Sequence, residues 1–350
     1  NLKISTNLGY THLSHDESST FPNTIYNPAY EVGTEASVLY TTDTARRSWI
    51  VEPQLHWTSK IGLVATDLLV GGTFQHQENN SVSLSGTGFT SNSLIYSPAA
   101  AIDQRVMGFD ASEYKYQFFF GRANFNVDSK YILNLTGRRD GSSRFGEDNR
   151  FGWFGGVGAA WLFTKEKALA ENEVLSFGKL RASYGTTGSD QIGNYKFLNT
   201  YMPTTTTYEG IIGLQPSRLY NAAFRWETNR KFEAALELGF LKDRILLTSA
   251  YYRNISSNQL VGVPLPATTG FTEIQSNLNA TVLNSGVEFT LRAVDFNSTD
   301  FEWTTDFNFS MAKNELLSFP NLEASTFSRR YVIGQPLNIT KVYRYTGIDP

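Results

Sequence analysis

The run that decides the fold reads YILNLTGRR (131–139), DGSSRFGEDNR (140–150) and FGWFGGVGAAWLF (151–163). Two segments rich in aromatic and aliphatic residues flank a centre too polar to lie in a core. Gly, Asp, Asn and Ser clusters punctuate antiparallel sheets, so the expected order is strand, glycine-bearing loop, strand. GWFGGVG (152–158) has the outline of a dinucleotide-binding loop, but no β-α-β unit surrounds it. Glycines that let a strand bend or approach a neighbour are the better reading.

Outward from this run, the chain alternates apolar and polar residues. Upstream, strands are expected at Leu2–Tyr10, Trp49–Trp57, Leu63–Gln77 and Tyr114–Val127, with long polar loops at Ser14–Arg47 and Asn79–Ser112. Downstream come a helical-looking insert at Lys165–Glu173, a strand at Lys179–Gly185, and a third long loop at Gly188–Arg225 with a short strand near Tyr195–Tyr201. The pattern then sharpens. Phe232, Ala234, Leu236, Leu238 and Phe240 alternate with Glu233, Ala235, Glu237 and Gly239. Val287, Phe289 and Leu291 alternate with Glu288, Thr290 and Arg292; Phe301 to Met311 alternates with Glu302 to Ser310.

Such alternation marks strands with one apolar and one polar face. A soluble sandwich and a membrane barrel both produce it. Three features favour the barrel. Short turns (DSK, KDR, NSTD) alternate with long polar loops. Spans of about 9–14 residues suit tilted strands crossing a bilayer. Aromatics crowd strand ends, among them Trp49, Trp57, Trp153, Trp161, Tyr251 and Trp303. The expected fold is all-β: an antiparallel transmembrane β-barrel, present in part, with about eleven or twelve strands.

Composition narrows the function. The chain has 350 residues, no cysteine and a net charge of −3, with 14% aromatics. It therefore lacks a disulfide framework, thiolate metal ligands and the basic face of a nucleic-acid binder. No apolar run approaches the ~18 residues of a membrane helix. No GxxxxGK[ST] or GxSxG motif supports ATP hydrolysis or a serine hydrolase, so no enzyme and no cofactor is expected. His12, His15, His56 and His76 are scattered, and HxxHD at residues 12–16 straddles a strand end; no metal site is expected. A Lys or Arg facing mid-membrane lipid costs ~2–4 kcal/mol, so Glu233, Glu237, Glu288, Arg292, Asp306 and Asn308 are expected to face a wet interior, where they could contact a substrate. Tyr195 and Tyr201 are candidates to stack on sugar rings, against a role in loop packing.

Several segments carry a resemblance. KYILNLTGRRDGSSRFG (130–146), FGWF (151–154) with AAW (159–161), KLRASYGTTGSDQIGNY (179–195), FRWETNRKFEAALELGFLKDRI (224–245), YYRNISSNQLVGVPLPATTGF (251–271), NSGVEFTL (284–291) and YRYTGIDP (343–350) resemble, in order, SusC/RagA-type TonB-dependent outer-membrane transporters. NLNATVLNSG (277–286) departs from that pattern at Leu278 or Asn279, where the family has glycine, and QPLNITKVY (335–343) departs from a small-residue stretch.

The resemblance implies a barrel of about 22 strands plugged by an N-terminal domain. Residues 1–350 are then expected to be part of one barrel domain of a longer protein, with the plug, the TonB-contacting box and the last strands outside this chain. It implies active import of oligosaccharides, or in some relatives peptides, across a Gram-negative outer membrane. A SusD-like surface lipoprotein would act as lid and TonB as the energy source through the plug. Arg139, Asp140, Ser142, Ser143 and Arg144 fall in the family's RDGSSR loop, for which the resemblance implies a place on the outside near substrate or partner; hydrogen bonds from Asp and Ser that fix the turn are the better reading. A passive porin and a soluble carbohydrate-binding sandwich remain alternatives at this point.

Overall fold

The computed structural model describes residues 1–221, 223–345 and 347. Its strands are β1 (Leu2–Phe21), β2 (Val38–Ile61), β3 (Val64–Thr87), β4 (Asp103–Val127), β5 (Tyr131–Ser142), β6 (Phe151–Trp161), β7 (Leu175–Ser189), β8 (Tyr201–Tyr208), β9 (Ile211–Pro216), β10 (Glu227–Phe240), β11 (Ile245–Pro264), β12 (Glu273–Asn297) and β13 (Glu302–Ser318). Eleven form one antiparallel sheet in the order β1-β2-β3-β4-β5-β6-β7-β10-β11-β12-β13, and β8 pairs with β9 as a separate hairpin. The chain divides into two compact units, residues 1–5, 54–72 and 118–350, and residues 6–53 and 73–117. Among the described residues no helix is long and apolar enough to cross a membrane.

In the first unit the register assigns every strand two chemical faces. Glu233, Ala235 and Glu237 oppose Ser183, Arg181 and Lys179 on one side and Tyr252, Ala250 and Thr248 on the other. Ala250 opposes Glu288, which opposes Ser310; Thr290 opposes Asn308, and Arg292 opposes Asp306. All these side chains share one face. The other face carries Phe232, Leu236, Tyr251, Phe289, Phe307, Phe309 and Met311, all exposed. Phe289 and Phe309 sit in register with ring centroids 6.3 Å apart. Phe307 is 55% exposed. Among the described residues the only other sheet is the small β8–β9 hairpin, so no second large sheet exists to cover this apolar wall. The sandwich alternative fails on this point. An apolar face of such extent in a water-soluble chain would be an aggregation liability; against acyl chains it is satisfied.

Short turns join the strands at one end. Asp128 (φ 53°) and Ser129 (φ 54°) form the tight β4–β5 turn, and Leu241, Lys242 and Asp243 take positive φ between β10 and β11. Paired left-handed residues match the right-handed twist of a hairpin. Glu209 (φ 50°) and Gly210 (φ 80°) do the same between β8 and β9. At the β5–β6 end, Glu166 accepts hydrogen bonds from Tyr131 Oη at 2.6 Å and Trp161 Nε1 at 3.2 Å, with Lys130 Nζ 3.7 Å away.

Several sequence expectations change. The loops expected at Ser14–Arg47 and Asn79–Ser112 are largely strand, as β1 to β4 run to 20–25 residues rather than 9–14. Alternation fades there, while the ladder persists. Cross-strand hydroxyl pairs such as Thr42–Ser83 and Thr44–Ser81, both 2.9 Å, replace apolar contacts. This second unit has its own small core of Leu39, Phe89, Ile95 and Ala101. No α-helix forms at Lys165–Glu173; a 3-10 turn at Phe163–Lys165 and loose turns take its place. Nine residues are too few to repay helix nucleation, and Glu166 is already engaged with Tyr131 and Trp161. The short strand near Tyr195–Tyr201 lies instead at Tyr201–Tyr208 and pairs with β9. The main sheet has eleven strands, as expected, and the β8–β9 hairpin stands apart from it. YRYTGIDP ends outside the described residues, since Thr346 and residues 348–350 are not among them.

Two predictions follow from the fold. Phe307→Arg places a charge on the apolar wall and should lower barrel stability in lipid vesicles by ~2–4 kcal/mol, while Asn308→Arg, one residue on, should cost far less; denaturant unfolding in bilayers measures both. The Tyr131 hydroxyl, aided by Trp161, holds the Glu166 carboxyl below its ordinary value of 4.5. A depressed carboxyl contributes fully above that value and loses its contribution as pH falls through the lowered one. Trp161 fluorescence should therefore change on acidification below about pH 4.5 in the wild type, and stay flat in Glu166→Gln.

Candidate functional site

Two arrangements stand out: a charged ladder on the polar face, and a buried knot beside it. In the ladder, β7 contributes Lys179 and Arg181, two residues apart and therefore on one face. Arg181 is placed between two carboxylates. Its Nε donates to Glu237 Oε1 at 2.7 Å and its Nη1 donates to Glu233. Lys179 Nζ donates to both oxygens of Glu237 at 3.1 and 3.2 Å. Two strands further on, Arg292 Nε lies 4.0 Å from Asp306 Oδ1, both well exposed. Glu288 and Asn308 occupy the same face between them. The ladder thus offers closely spaced donors and acceptors facing water, with little apolar surface between. It can bind a polar solute through several hydrogen bonds; it holds no nucleophile activated by a base.

The knot is built from the DGSSRF loop and the chain that follows β7. Ser142 Oγ donates to Asp190 Oδ2 at 2.7 Å, both side chains buried. Arg144 Nη1 donates to the Asp190 carbonyl at 3.0 Å, and its Nε to Asn194 Oδ1 at 3.2 Å. Phe145 and Phe224 are fully buried, and the Trp226 ring lies 5.0 Å from Phe145 and 5.7 Å from Phe154. Trp226 Nε1 donates to the Arg150 carbonyl at 3.3 Å. The Phe154 ring occupies the space where a side chain at Gly188 would begin, which is why that strand residue has none. Asp140 accepts from Arg138 Nε at 2.7 Å and is almost fully buried, and Ser143 is half-buried in the same turn. Asp140, Ser142 and Arg144 each take part in hydrogen bonds within or across this loop.

Arg139 departs from its neighbours. It opposes Trp153, on the face that carries Leu133, Leu135, Val157 and Trp161, opposite to Arg138 and Asp140. It is therefore not a residue of the polar interior. Tyr195 and Tyr201 both belong to the connection between β7 and β10. Tyr195 has φ 57° and its carbonyl accepts from Leu198 N, while the Tyr201 hydroxyl accepts from Asn199 Nδ2 at 3.3 Å. Lys179, Arg181, Asp190, Asn194 and Trp226 were not picked out from the sequence. The K-x-R spacing at 179–181 opposite E-x-x-x-E at 233–237 was the available signal, but it needs the register to become a cluster.

In the second unit, His76, Glu78 and Glu113 bring three ligand-type atoms within 4.8 Å of one another. Lys115 Nζ lies 2.7 Å from Glu113, and His76 Nε2 lies 2.9 Å from the same carboxylate. The Lys115 ammonium already offsets the Glu113 charge. His12 and His15 lie on exposed β1.

The wall, its turns and its charged face can now be set beside known proteins. The family profile described as "TonB dependent receptor-like, beta-barrel" matches residues 1–348. The chain belongs to this family. The TonB-dependent receptor P26 of Formosa agariphila is 30% identical over 311 residues, which covers 87% of this chain and 31% of that protein. The TonB-dependent receptor SusC of Bacteroides thetaiotaomicron is 29% identical over 271 residues, covering 75% of this chain and 26% of that receptor. Among solved structures, the RagAB peptide transporter superposes with a TM-score of 0.83 at 24% identity, over 96% of this chain and 37% of that one. The chain thus spans about a third of the length of the relatives it matches. TonB-dependent receptors of this family are outer-membrane β-barrels of Gram-negative bacteria, and this chain is a SusC-like part of such a barrel.

The knot generates a stability prediction. Trp226→Ala should cost ~3–5 kcal/mol, and Ser142→Ala, which removes one donor from the buried Asp190 carboxylate, ~1–3 kcal/mol. Both should make the 140–150 loop of the purified protein more readily cleaved by protease than in the wild type.

Proposed function

We propose that this chain forms part of the wall of a SusC-like importer that takes up oligosaccharides by TonB-driven active transport. The observation that carries the reading is the charged ladder of Lys179, Arg181, Glu233 and Glu237 on the face away from lipid. A wet, multiply hydrogen-bonding surface suits a large polar solute, and the family relationship to SusC supports the transport class. A plug domain and TonB box lying outside this chain, a SusD-like surface lipoprotein as lid, and TonB acting on the plug complete the proposal. Proton-motive force would then supply the work, so neither ATP nor bond chemistry is assigned to this wall. Closure of a lid over captured solute would commit it to passage. Peptide import is the second reading, favoured by the likeness to a peptide transporter in fold.

Glu233, Glu237, Glu288, Arg292, Asp306, Asn308, Tyr195 and Tyr201 remain proposed contacts for solute or plug. The test is uptake by cells carrying the full-length protein, offered fluorescent oligosaccharides and fluorescent peptides of similar size. Oligosaccharide uptake that vanishes on deletion of TonB or of the partner lipoprotein supports the proposal. Uptake of peptides alone would replace the substrate class. Uptake unaffected by either deletion would reinstate a passive pore. Arg181→Ala, which leaves two carboxylates with one cation, should lower uptake several-fold while the protein still reaches the outer membrane.

A further inference from the structure

We infer that Arg139, stacked on Phe151 and Trp153, is a binding site on the outer wall for the phosphate of an outer-leaflet lipid headgroup. The proposal rests on the outer-membrane barrel reading above and concerns the surface away from the transport path.

The β5–β6 register sets out the wall in rungs. Tyr131 opposes Trp161, Leu133 opposes Ala159, Leu135 opposes Val157, Gly137 opposes Gly155, Arg139 opposes Trp153, and Gly141 opposes Phe151. Directly opposed residues share a face, so one apolar stripe runs from Tyr131 and Trp161 up to Arg139 and Trp153. The lower rung is marked as an interface by its polar atoms: Tyr131 Oη and Trp161 Nε1 both donate to Glu166 in the adjoining connection. Eight residues separate Tyr131 from Arg139, roughly 27 Å along an extended strand. At a tilt near 40° that is about 20 Å along the membrane normal, close to the ~25 Å height of a barrel's apolar band. Arg139 therefore sits where the hydrocarbon ends at the opposite surface.

The chemistry at that height is specific. The Arg139 guanidinium lies 3.9 Å from the centroid of the Phe151 ring and 5.7 Å from that of Trp153, which is 76% exposed. Both rings hold the guanidinium by cation–π contact, and a ring face takes no N–H in the guanidinium plane, which leaves those N–H groups to donate. The neighbouring Arg138, on the opposite face, has Asp140 to neutralise it. Arg139 has no carboxylate partner among the described residues. A lipid-facing cation costs least at the interface and gains most if an anion lies beside it. A planar guanidinium matches two oxygens of a phosphate, which a point ammonium does not. The occupant that belongs at this position is a phosphorylated lipid headgroup.

The test uses the full-length protein in detergent, incubated with bis-phosphorylated lipid A or with its dephosphorylated form, and counts retained lipid by native mass spectrometry. The wild type should retain the phosphorylated form in preference. Arg139→Gln should retain about five-fold less of it, Arg139→Lys an intermediate amount, and Trp153→Ala less than wild type. The dephosphorylated lipid should not distinguish wild type from Arg139→Gln. Equal retention of lipid A by wild type and Arg139→Gln overturns the inference, as does indifference of the wild type to phosphate. Heat-dependent migration shows which variants are folded; if Arg139→Gln is not, the comparison of Arg139→Lys and Trp153→Ala with wild type decides. Loss of a co-purifying protein partner with lipid retention unchanged would assign Arg139 to a protein contact and also overturns it. Fractionation of cells separates the two readings: wild type absent from the outer membrane removes both, whereas wild type present there with equal retention removes only the headgroup contact.

Discussion

A bilayer offers no hydrogen-bond partner to a peptide group and no counter-charge to a side chain. Everything in this wall follows from that constraint. Each backbone amide must be met by a neighbouring strand, which imposes the continuous ladder from β1 to β13. Each charge must leave the lipid face, which imposes the strict alternation of Phe289, Leu291, Phe307 and Phe309 with Glu288, Arg292, Asp306 and Asn308. The second requirement concentrates charge on the remaining face. Lys179, Arg181, Glu233 and Glu237 are packed close enough to neutralise one another, and the same crowding makes that face able to grip a polar solute.

The knot around Trp226 solves a different problem. Where strands leave the membrane, loops must be held without the support of lipid. Here buried side chains do it. Ser142, Arg144 and Asp190 tie two connections together through polar contacts, and Phe145, Phe154, Phe224 and Trp226 exclude water around them. Farther along, the chain after β13 turns back on its own strand: Leu316 N donates to the Gln335 carbonyl and Gly334 N to the Leu316 carbonyl. Leu278 and Leu337 pack on that small core with Phe319 and Leu322. Leu278 lies in one of the two stretches that depart from the family pattern, and Leu337 in the other. An apolar side chain in each place gives both departures a shared packing role.

Period-two alternation made the wall legible from sequence, because lipid permits so little else. Glu233, Glu237, Glu288, Arg292, Asp306 and Asn308 have one parity within their strands, and the register puts them on one face of the sheet. Legibility failed wherever lipid stops dictating. Residues 11–21, 38–47, 78–87 and 103–113 carry Ser, Thr, Asn and Asp without strict alternation, so much of this stretch reads as loop although the ladder continues. Arg139 was grouped with Asp140 and Ser142 because they are adjacent in one motif, yet a strand turns adjacent residues to opposite faces. The Arg181 cluster and the Trp226 knot join residues far apart in sequence, and only strand register or loop packing can bring such residues together.

The central claim, that one face meets acyl chains and the other meets water, is open to direct measurement. The chain contains no cysteine, so single cysteines at Phe307, Asn308 and Phe309 can be labelled with a fluorophore in the bilayer-embedded protein. Quenching by nitroxide-bearing acyl chains should be strong at positions 307 and 309 and weak at 308, with aqueous iodide giving the reverse order. Uniform quenching by iodide at all three positions would contradict the account.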